Sequence, residues 1–218
     1  FYLRKKRSLN ILYKIRKKID TPIGDSSLIP TYEIFSHVKK FSKVSLGGDG
    51  GDESFFGYIT FDAFYIASKL KKIFPNFVFS ILNNLLNYLT VSYNYSNTNI
   101  SQKLKKFFEN IIDKHEHVLP GWMNSLSYME LQSLMKNKIY KKQIYLNSNK
   151  VFDKKKPYMR NAQTYYFKYY LPLILQKVDQ ASMFHSVEHR SPFLSKQILN
   201  FSLGTNYTKI YKPFRSKY

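Results

Sequence analysis

Cysteine is absent from the 218 residues of the sequence, and acidic residues are scarce. The first absence excludes a disulfide-stabilised scaffold, a cysteine nucleophile and a thiolate metal site within these residues, and it fits a cytoplasmic protein. The second leaves 14 Asp and Glu against 35 Lys and Arg, which gives a formal net charge of +21. Positive charge attracts nucleic acid, anionic lipid and phosphorylated ligands, but the lysines are scattered along the whole chain. We therefore do not expect a nucleic-acid partner.

A long apolar run is missing as well. Residues 73–102 carry no charged side chain, but Pro75 and many asparagines interrupt this stretch. A membrane-spanning helix needs about 20 predominantly apolar residues, which this stretch does not supply. We expect a helix and then a polar loop at 93–101, and no membrane partner.

The length of the chain is sufficient for one or two domains. The first residue is Phe1 rather than Met, and we therefore expect these residues to belong to a longer protein. The pattern of elements predicts an α/β part at 1–62 and a mainly helical part at 63–218.

A glycine-rich stretch organises the first part. Lys43 to Leu46 has the pattern of a buried strand of a parallel sheet, and residues 47–53 then contain four glycines and three carboxylates. Glycines at this density let the backbone approach a ligand closely, and open α/β sheets bind ligands where a strand ends in such a loop. Carboxylates beside backbone N–H groups favour Mg²⁺ and phosphate as the ligand. A glycine-rich turn with solvated acids is the alternative.

The rest of the chain has mostly helical patterns. Pro30 is typical of a first helical turn, and Gly121–Trp122 predicts a helix break. We expect an aromatic helix at 160–171 that ends at the following proline, a last clear helix at 177–188 and a short helix at 197–203.

Three segments carry a resemblance to a known family. Leu46–Tyr58, read as LGGDGGDESFFGY, resembles the LSGDGGDELFGGY signature of the asparagine synthetase family. Gln176–Leu194, read as QKVDQASMFHSVEHRSPFL, resembles the family's KVDRASMAHSLEVRSPFLD. Asp20–Pro30 is similar to its DxPxGDSSxIP segment. The three segments occur in the family's order, so the chain is identified as a member, in the form of a fragment of the synthetase domain.

The resemblance implies an α/β fold of the adenine-nucleotide α-hydrolase type. It also implies ATP and Mg²⁺ as cofactors and a carboxylate substrate, which is aspartate in the namesake enzyme. ATP would convert the carboxylate to an acyl-adenylate and release pyrophosphate, and glutamine-derived ammonia would then form the amide. A glutaminase domain in the full-length chain is the implied partner, and a homodimer is left open.

The resemblance also assigns roles to residues of the glycine-rich stretch. Leu46, Gly47 and Gly48 would line the adenylate pocket, and Asp52 would bind Mg²⁺. Asp49 would lie near the reacting carboxyl group and the incoming amine, where proton transfer is the chemistry required. A further group would lie near pyrophosphate or the acceptor substrate: Thr21, Gly24, Ser26 and Ser27.

Three more residues are candidates for supporting the site. Glu53 is either a ligand or a structural anchor of the glycine loop. Asp179 and Arg190 are either near the active site or members of structural ion pairs. His185 and His189 are spaced i, i+4 in a helix that the resemblance treats as structural.

Departures from the family pattern bear on activity. Gly47 replaces Ser and loses a hydroxyl, Gln180 replaces the usual Arg, and Ser195 replaces the usual Asp. These residues do not include the family's SGGxDSS pyrophosphate loop, its basic KxxF-type segment or its glutaminase domain. We therefore expect the given residues to be inactive alone. An inactive homologue and a basic polyanion-binding protein are the alternatives. Gly50–Glu53 also spells the core of diguanylate cyclases, but Ser54 departs from that pattern.

Overall fold

The computed structural model describes residues 5–17, 19, 21, 23–87, 100–113, 115–123, 128–135 and 145–214. These residues form a mostly helical α/β structure with a small parallel sheet of two strands. The coarse predicted class, an α/β chain with a parallel sheet and a mostly helical remainder, is therefore confirmed. No helix among the described residues is long and apolar enough to cross a membrane.

The helices and strands of the described residues have the following order along the chain. Up to residue 87 they are α1 (Lys5–Arg16), α2 (Leu28–Val38), β1 (Val44–Leu46), α3 (Gly51–Phe55), α4 (Ile59–Ile73) and α5 (Asn76–Asn87). Further helices are α6 (Ile100–Ile111), α7 (His115–Met123), α8 (Tyr128–Leu134), α9 (Leu146–Val151) and α10 (Tyr158–Tyr165). A π-helical turn (Tyr166–Tyr170) leads into α11 (Leu171–Met183), β2 (Glu188–Arg190), a 3₁₀ turn (Pro192–Leu194), α12 (Lys196–Gly204) and α13 (Tyr207–Ile210).

The contacts between Cα atoms divide the chain into two compact units. The first unit comprises Phe1–Phe55 and Tyr166–Thr205, and the second comprises Phe56–Tyr165 and Asn206–Tyr218. The division after residue 62 that the sequence predicts remains a prediction.

The sheet of the first unit pairs β1 with β2 in parallel. Val44 lies opposite Glu188, Ser45 opposite His189 and Leu46 opposite Arg190. The prediction that this strand is buried is wrong, because Val44 and Leu46 are 42% and 72% exposed. The described part of the sheet contains only these two strands, and a sheet this small leaves the side chains of Val44 and Leu46 in contact with solvent. The predicted helix over 177–188 is also too long, since α11 ends at Met183 and Glu188 belongs to β2.

The core of the first unit lies between α1, α2 and α11. Its buried apolar side chains are Ile11, Ile15, Leu28, Phe35, Val178, Ala181 and Val187. Ile11 and Ile15 are four residues apart on α1, and Val178 and Ala181 are three apart on α11, which is the spacing of an apolar stripe. The helix expected to end at Pro172 continues instead, because Pro172 occupies the first turn of α11, where its missing N–H group costs no hydrogen bond.

The burial of a histidine beside this core predicts a pH-dependent stability of the first unit. The ring of His185 packs edge-on to Tyr32, with a centroid distance of 4.3 Å, and its Nε2 is buried without a hydrogen-bond partner among the described residues. Burial first, and then the charge of Lys39, lower the pKa of His185 below its ordinary value. The folded state therefore disfavours the protonated ring more than the unfolded state does.

The free energy of unfolding should accordingly decrease as the pH falls below about 6.5, where the unfolded histidine takes up a proton. His185→Phe should remove part of this loss of stability. Thermal unfolding at about pH 8 and about pH 5 measures the difference. An equal loss of stability in the native protein and the variant would show that His185 is not responsible.

The second unit is built around α4, α6 and α7. Its fully buried side chains include Phe61, Phe64, Ile111, Val118 and Leu119. The predicted break at Gly121–Trp122 is wrong, because α7 runs from His115 to Met123. A Cβ atom at Gly121 would lie 2.1 Å from Oδ1 of Asn110, so this glycine lets α6 and α7 approach closely.

Candidate functional site

The carboxyl ends of both strands of the sheet lie at one edge. The β1 strand ends at Leu46 and enters the glycine-rich loop, while β2 ends at Arg190 and continues to Ser191. The Gly47 N–H group donates to the Arg190 carbonyl at 2.9 Å, which extends the ladder by one residue. In open parallel sheets this edge is where ligands bind.

The loop that follows β1 makes a tight turn at Gly50. Its φ of +86° lies in the left-handed region that glycine occupies without strain. The Gly51 N–H group donates to the Gly48 carbonyl at 3.0 Å and closes the turn. A Cβ atom at Gly48 would meet nothing within 4 Å, so the backbone of the loop is open to a ligand on that side.

The short helix α3 is anchored from behind the loop. The Ser54 N–H group donates to the Gly50 carbonyl at 2.9 Å, and the Ser202 hydroxyl of α12 donates to the Ser54 carbonyl at 2.6 Å. Ser54 and Ser202 are both fully buried. This packing gives the open loop a fixed base.

Asp49 is held by residues at the end of β2. Its Oδ2 lies 2.9 Å from Nε2 of His189 and accepts a longer hydrogen bond, at 3.4 Å, from the Ser191 hydroxyl. Nδ1 of the same ring lies 2.9 Å from the hydroxyl of Ser45. Ser45 and His189 are opposite each other in the parallel ladder, so their side chains project from the same face of the sheet. The result is a hydrogen-bonded chain from Ser45 through His189 to Asp49.

The two acids of α3 differ in exposure. Asp52 is half-buried in the first turn of α3, whereas Glu53 is only 1% exposed. Burial first, then the charges of Asp25, Glu53 and Asp52, raise the pKa of the nearby Tyr170 hydroxyl. The three carboxylates therefore contribute to one region of negative potential. The burial of Glu53 fits the structural-anchor alternative, whereas Asp52 keeps part of its side chain exposed.

The segment before α2 is held by α11. Nζ of Lys177 donates to Asp25 Oδ2 at 2.9 Å and to the Ser27 hydroxyl at 2.8 Å. The Ser27 hydroxyl in turn donates to Asp25 Oδ1 at 2.7 Å. Burial raises the pKa of Asp25, but the hydrogen bonds from Ser27 and Lys177 outweigh it and hold this pKa below its ordinary value.

The other residues predicted around this segment are more exposed. Thr21 accepts hydrogen bonds from Gln176 at 2.7 Å and Gln180 at 3.3 Å through its hydroxyl oxygen. Gly24 and Ser26 are exposed, while Asp20 and Pro22 of the quoted motif lie outside the described residues. Gln180, which departs from the family pattern, thus contacts a predicted site residue.

Asp179 and Arg190 do not pair with each other. Arg190 is exposed, and its Nε donates to Glu188 at 2.9 Å. This contact and the charge of Glu188 raise the pKa of the guanidinium group. Asp179 is exposed on α11, where its backbone carbonyl accepts a hydrogen bond from Ser182. Neither residue takes part in the hydrogen bonds of Asp49, and their supporting roles stay predictions.

A magnesium ion would have few protein ligands here. Among the described residues, no three His, Asp or Glu side chains come together as a complete metal site. Mg²⁺ does not need such a cluster, because in nucleotide-dependent enzymes one or two carboxylates, phosphate oxygens and water hold it. Asp52 fits this pattern as a half-buried carboxylate beside an open glycine loop.

The structure thus brings together part of the predicted site and adds residues that the sequence analysis missed. Leu46, Gly47, Gly48 and Asp49 lie at one sheet edge with His189 and Ser191, and Lys177 organises the segment around Asp25. The signal for His189 was present in the quoted motifs, in which the family has Ser at position 47 and Val at position 189. Gly47 and His189 both depart from the family signature and lie side by side in the structure, so the small residue makes room for the large one.

Comparison with known proteins decides the family. The family model described as Asparagine synthase matches residues 1–218. The chain belongs to the asparagine synthase family. No solved structure gives a match.

A curated relative agrees with the family. It is a protein of Methanocaldococcus jannaschii named "Putative asparagine synthetase (glutamine-hydrolyzing) 2", which is 36% identical over 78 residues. That match covers 36% of this chain and 15% of the relative's length. The similarity therefore concerns a small part of the relative.

Proposed function

We propose that this asparagine synthase family member takes part in ATP-dependent amide formation. A carboxylate, aspartate or a related compound, attacks the α-phosphorus of ATP and forms an acyl-adenylate, and pyrophosphate leaves. Ammonia then attacks the acyl carbon, so that the amide forms and AMP leaves. The observation that carries the proposal is the position of Asp49 and the open glycine loop at the carboxyl ends of two parallel strands.

The proposed nucleotide site uses the end of β1. The exposed side chain of Leu46 packs against the base or ribose, and the backbone of Gly47 and the open backbone of Gly48 lie against phosphate or ribose. Glycine at position 47 leaves this contact to the backbone, where the family signature has a hydroxyl. Thr21, Gly24, Ser26 and Ser27 face pyrophosphate or the acceptor substrate in this proposal.

The proposed chemistry needs one proton acceptor and compensation of phosphate charge. Asp49 accepts a proton from the attacking amine, because its carboxylate is held in one orientation by neighbouring side chains. Asp52 would hold Mg²⁺, which when bound neutralises phosphate charge as pyrophosphate leaves. Backbone N–H groups of the loop are suited to the same anionic oxygens.

The fold proposed for this site is the adenine-nucleotide α-hydrolase type. Parallel sheets are covered on both faces, and the exposure of Val44 and Leu46 is consistent with a larger sheet in the complete protein. Glutamine as the ammonia source, a glutaminase domain elsewhere in the protein and a cytoplasmic location are parts of the same proposal. A homodimer remains an open alternative to a monomer.

The proposal is tested by product analysis with the native polypeptide that carries these residues. Incubation with ATP, Mg²⁺, aspartate and either glutamine or ammonia should yield AMP and pyrophosphate in equal amounts, together with asparagine. Omission of the carboxylate should stop AMP formation. Formation of ADP, or no nucleotide turnover with any carboxylate tested, would contradict the proposal, and the second result would favour an inactive homologue.

A further inference from the structure

The ring of His189 occupies the space that a side chain at position 47 would need. A Cβ atom at Gly47 would lie 2.2 Å from Nε2 and 2.3 Å from Cε1 of this ring. Phe35 packs edge-on to the ring with a centroid distance of 5.4 Å, and Ser45 contacts Nδ1 at 2.9 Å. The ring is thus confined by a glycine, an aromatic ring and a strand hydroxyl, and its side chain is only 12% exposed.

Hydrogen-bond chemistry gives the contacts a direction. An ionised carboxylate has no proton to donate, so Nε2 must carry the proton in its bond to Asp49. In the neutral ring Nδ1 then accepts from the Ser45 hydroxyl. The bonds to Asp49 from His189 and Ser191 both end on Oδ2, and neither uses Oδ1.

We propose that His189 is a positioning residue that fixes Asp49 Oδ2 and thereby presents Oδ1 to the reacting groups. The inference rests on the proposed function, because it assigns Asp49 to the chemical step. Gly47 is required for this arrangement, because only a residue without a side chain leaves room for the His189 ring. The family signature has Ser and Val at these two positions, so this arrangement is a feature of this chain and not of the family signature.

The order of the contacts distinguishes this arrangement from a hydrolytic triad. In a serine hydrolase the nucleophilic hydroxyl bonds to Nε2 and the carboxylate bonds to Nδ1, whereas here Ser45 contacts Nδ1 and Asp49 contacts Nε2. Ser45 is also the middle residue of β1. The carboxylate, at the carboxyl end of the sheet, is therefore the group presented to a substrate.

Kinetics of four variants test the positioning role in the native protein. His189→Val should lower kcat for AMP formation on the order of ten- to a hundredfold, because a misplaced reacting group costs rate. The KM for ATP should stay within about twofold, because His189 does not contact the nucleotide in this proposal. His189→Gln, which keeps an N–H donor, should retain most of kcat.

The steric part is tested by Gly47→Ala and by the double variant Gly47→Ala/His189→Val. If Gly47 acts by making room for the ring, the double variant should have the same kcat as His189→Val alone, because the ring is already gone. The inference would be overturned if the double variant lost kcat by the product of the two single-variant factors. It would also be overturned if His189→Val had the kcat of the native protein.

An independent readout separates failure of this inference from failure of the proposed function. Heteronuclear NMR of the native protein without nucleotide should show His189 as the tautomer protonated at Nε2 when its ring is neutral. Protonation at Nδ1 would overturn the inference whatever the activity, because Nε2 could then not donate to Asp49. Absence of AMP formation in the native protein would instead contradict the proposed function and leave this spectral test valid.

Discussion

Asp52→Asn should reduce the rate of Mg²⁺-dependent pyrophosphate release about a thousandfold relative to the native protein. Loss of a group that stabilises transition-state charge has an effect of about this size. The amide has nearly the shape of the carboxylate but lacks the negative charge that a magnesium ligand needs here. Because Asp52 is half-buried at the start of α3, the substitution should change the free energy of unfolding much less than the rate. Pyrophosphate release over a range of Mg²⁺ concentrations measures the effect.

Asp153→Asn is the matched control for this variant. Asp153 accepts a hydrogen bond from the Lys155 N–H group through Oδ1 at 2.9 Å, and an asparagine oxygen can accept the same bond. Its pyrophosphate release should equal that of the native protein. If Asp52→Asn also kept the native rate and the native dependence on Mg²⁺, Asp52 would not be the metal ligand.

Gly50→Ala should lower the free energy of unfolding by about 2–4 kcal/mol, because two penalties add. An alanine at a φ of +86° is strained. Its Cβ would also lie 2.2 Å from Cδ2 and 2.8 Å from Cγ of Leu194, and overpacking of this kind is destabilising. Denaturant unfolding of the native protein and the variant, with equal slopes, measures the difference.

Gly48→Ala in the same loop separates these penalties from the general effect of adding a methyl group. A Cβ at Gly48 meets nothing within 4 Å, so this variant should remain within about 1 kcal/mol of the native protein. Equal stability of the two variants would show that the turn at Gly50 does not have the conformation described above.

The sequence predicted the local features of the site well. The glycine-rich loop and the strand before it are encoded within a few neighbouring residues, because glycine at position 50 meets a local conformational need. The helix expected from residue 177 is present as far as Met183, and its side chains Val178 and Ala181 are buried. The family followed from three motifs, each of which is local.

Features that depend on distant residues were not predicted. Glu188–Arg190 has no apolar alternation, and it is a strand because it pairs with β1 from a distant part of the chain. Gly121 was interpreted as a helix break, yet its role is to admit the side chain of Asn110 from another helix. The i, i+4 spacing of His185 and His189 suggested one helix face, but α11 ends before both residues. The departure at Gly47 was interpreted as a lost hydroxyl, although it also makes room for His189.

The central claim, an acyl-adenylate route at this site, is tested most directly by the fate of the carboxylate oxygen. Aspartate labelled with heavy oxygen in its side-chain carboxylate is converted by the native protein with ATP, Mg²⁺ and ammonia, and the AMP is analysed by mass spectrometry. Attack of the carboxylate on the α-phosphorus and cleavage of the acyl C–O bond by ammonia predict one labelled oxygen in each AMP. Unlabelled AMP, or label in inorganic phosphate with ADP as the nucleotide product, would contradict the account.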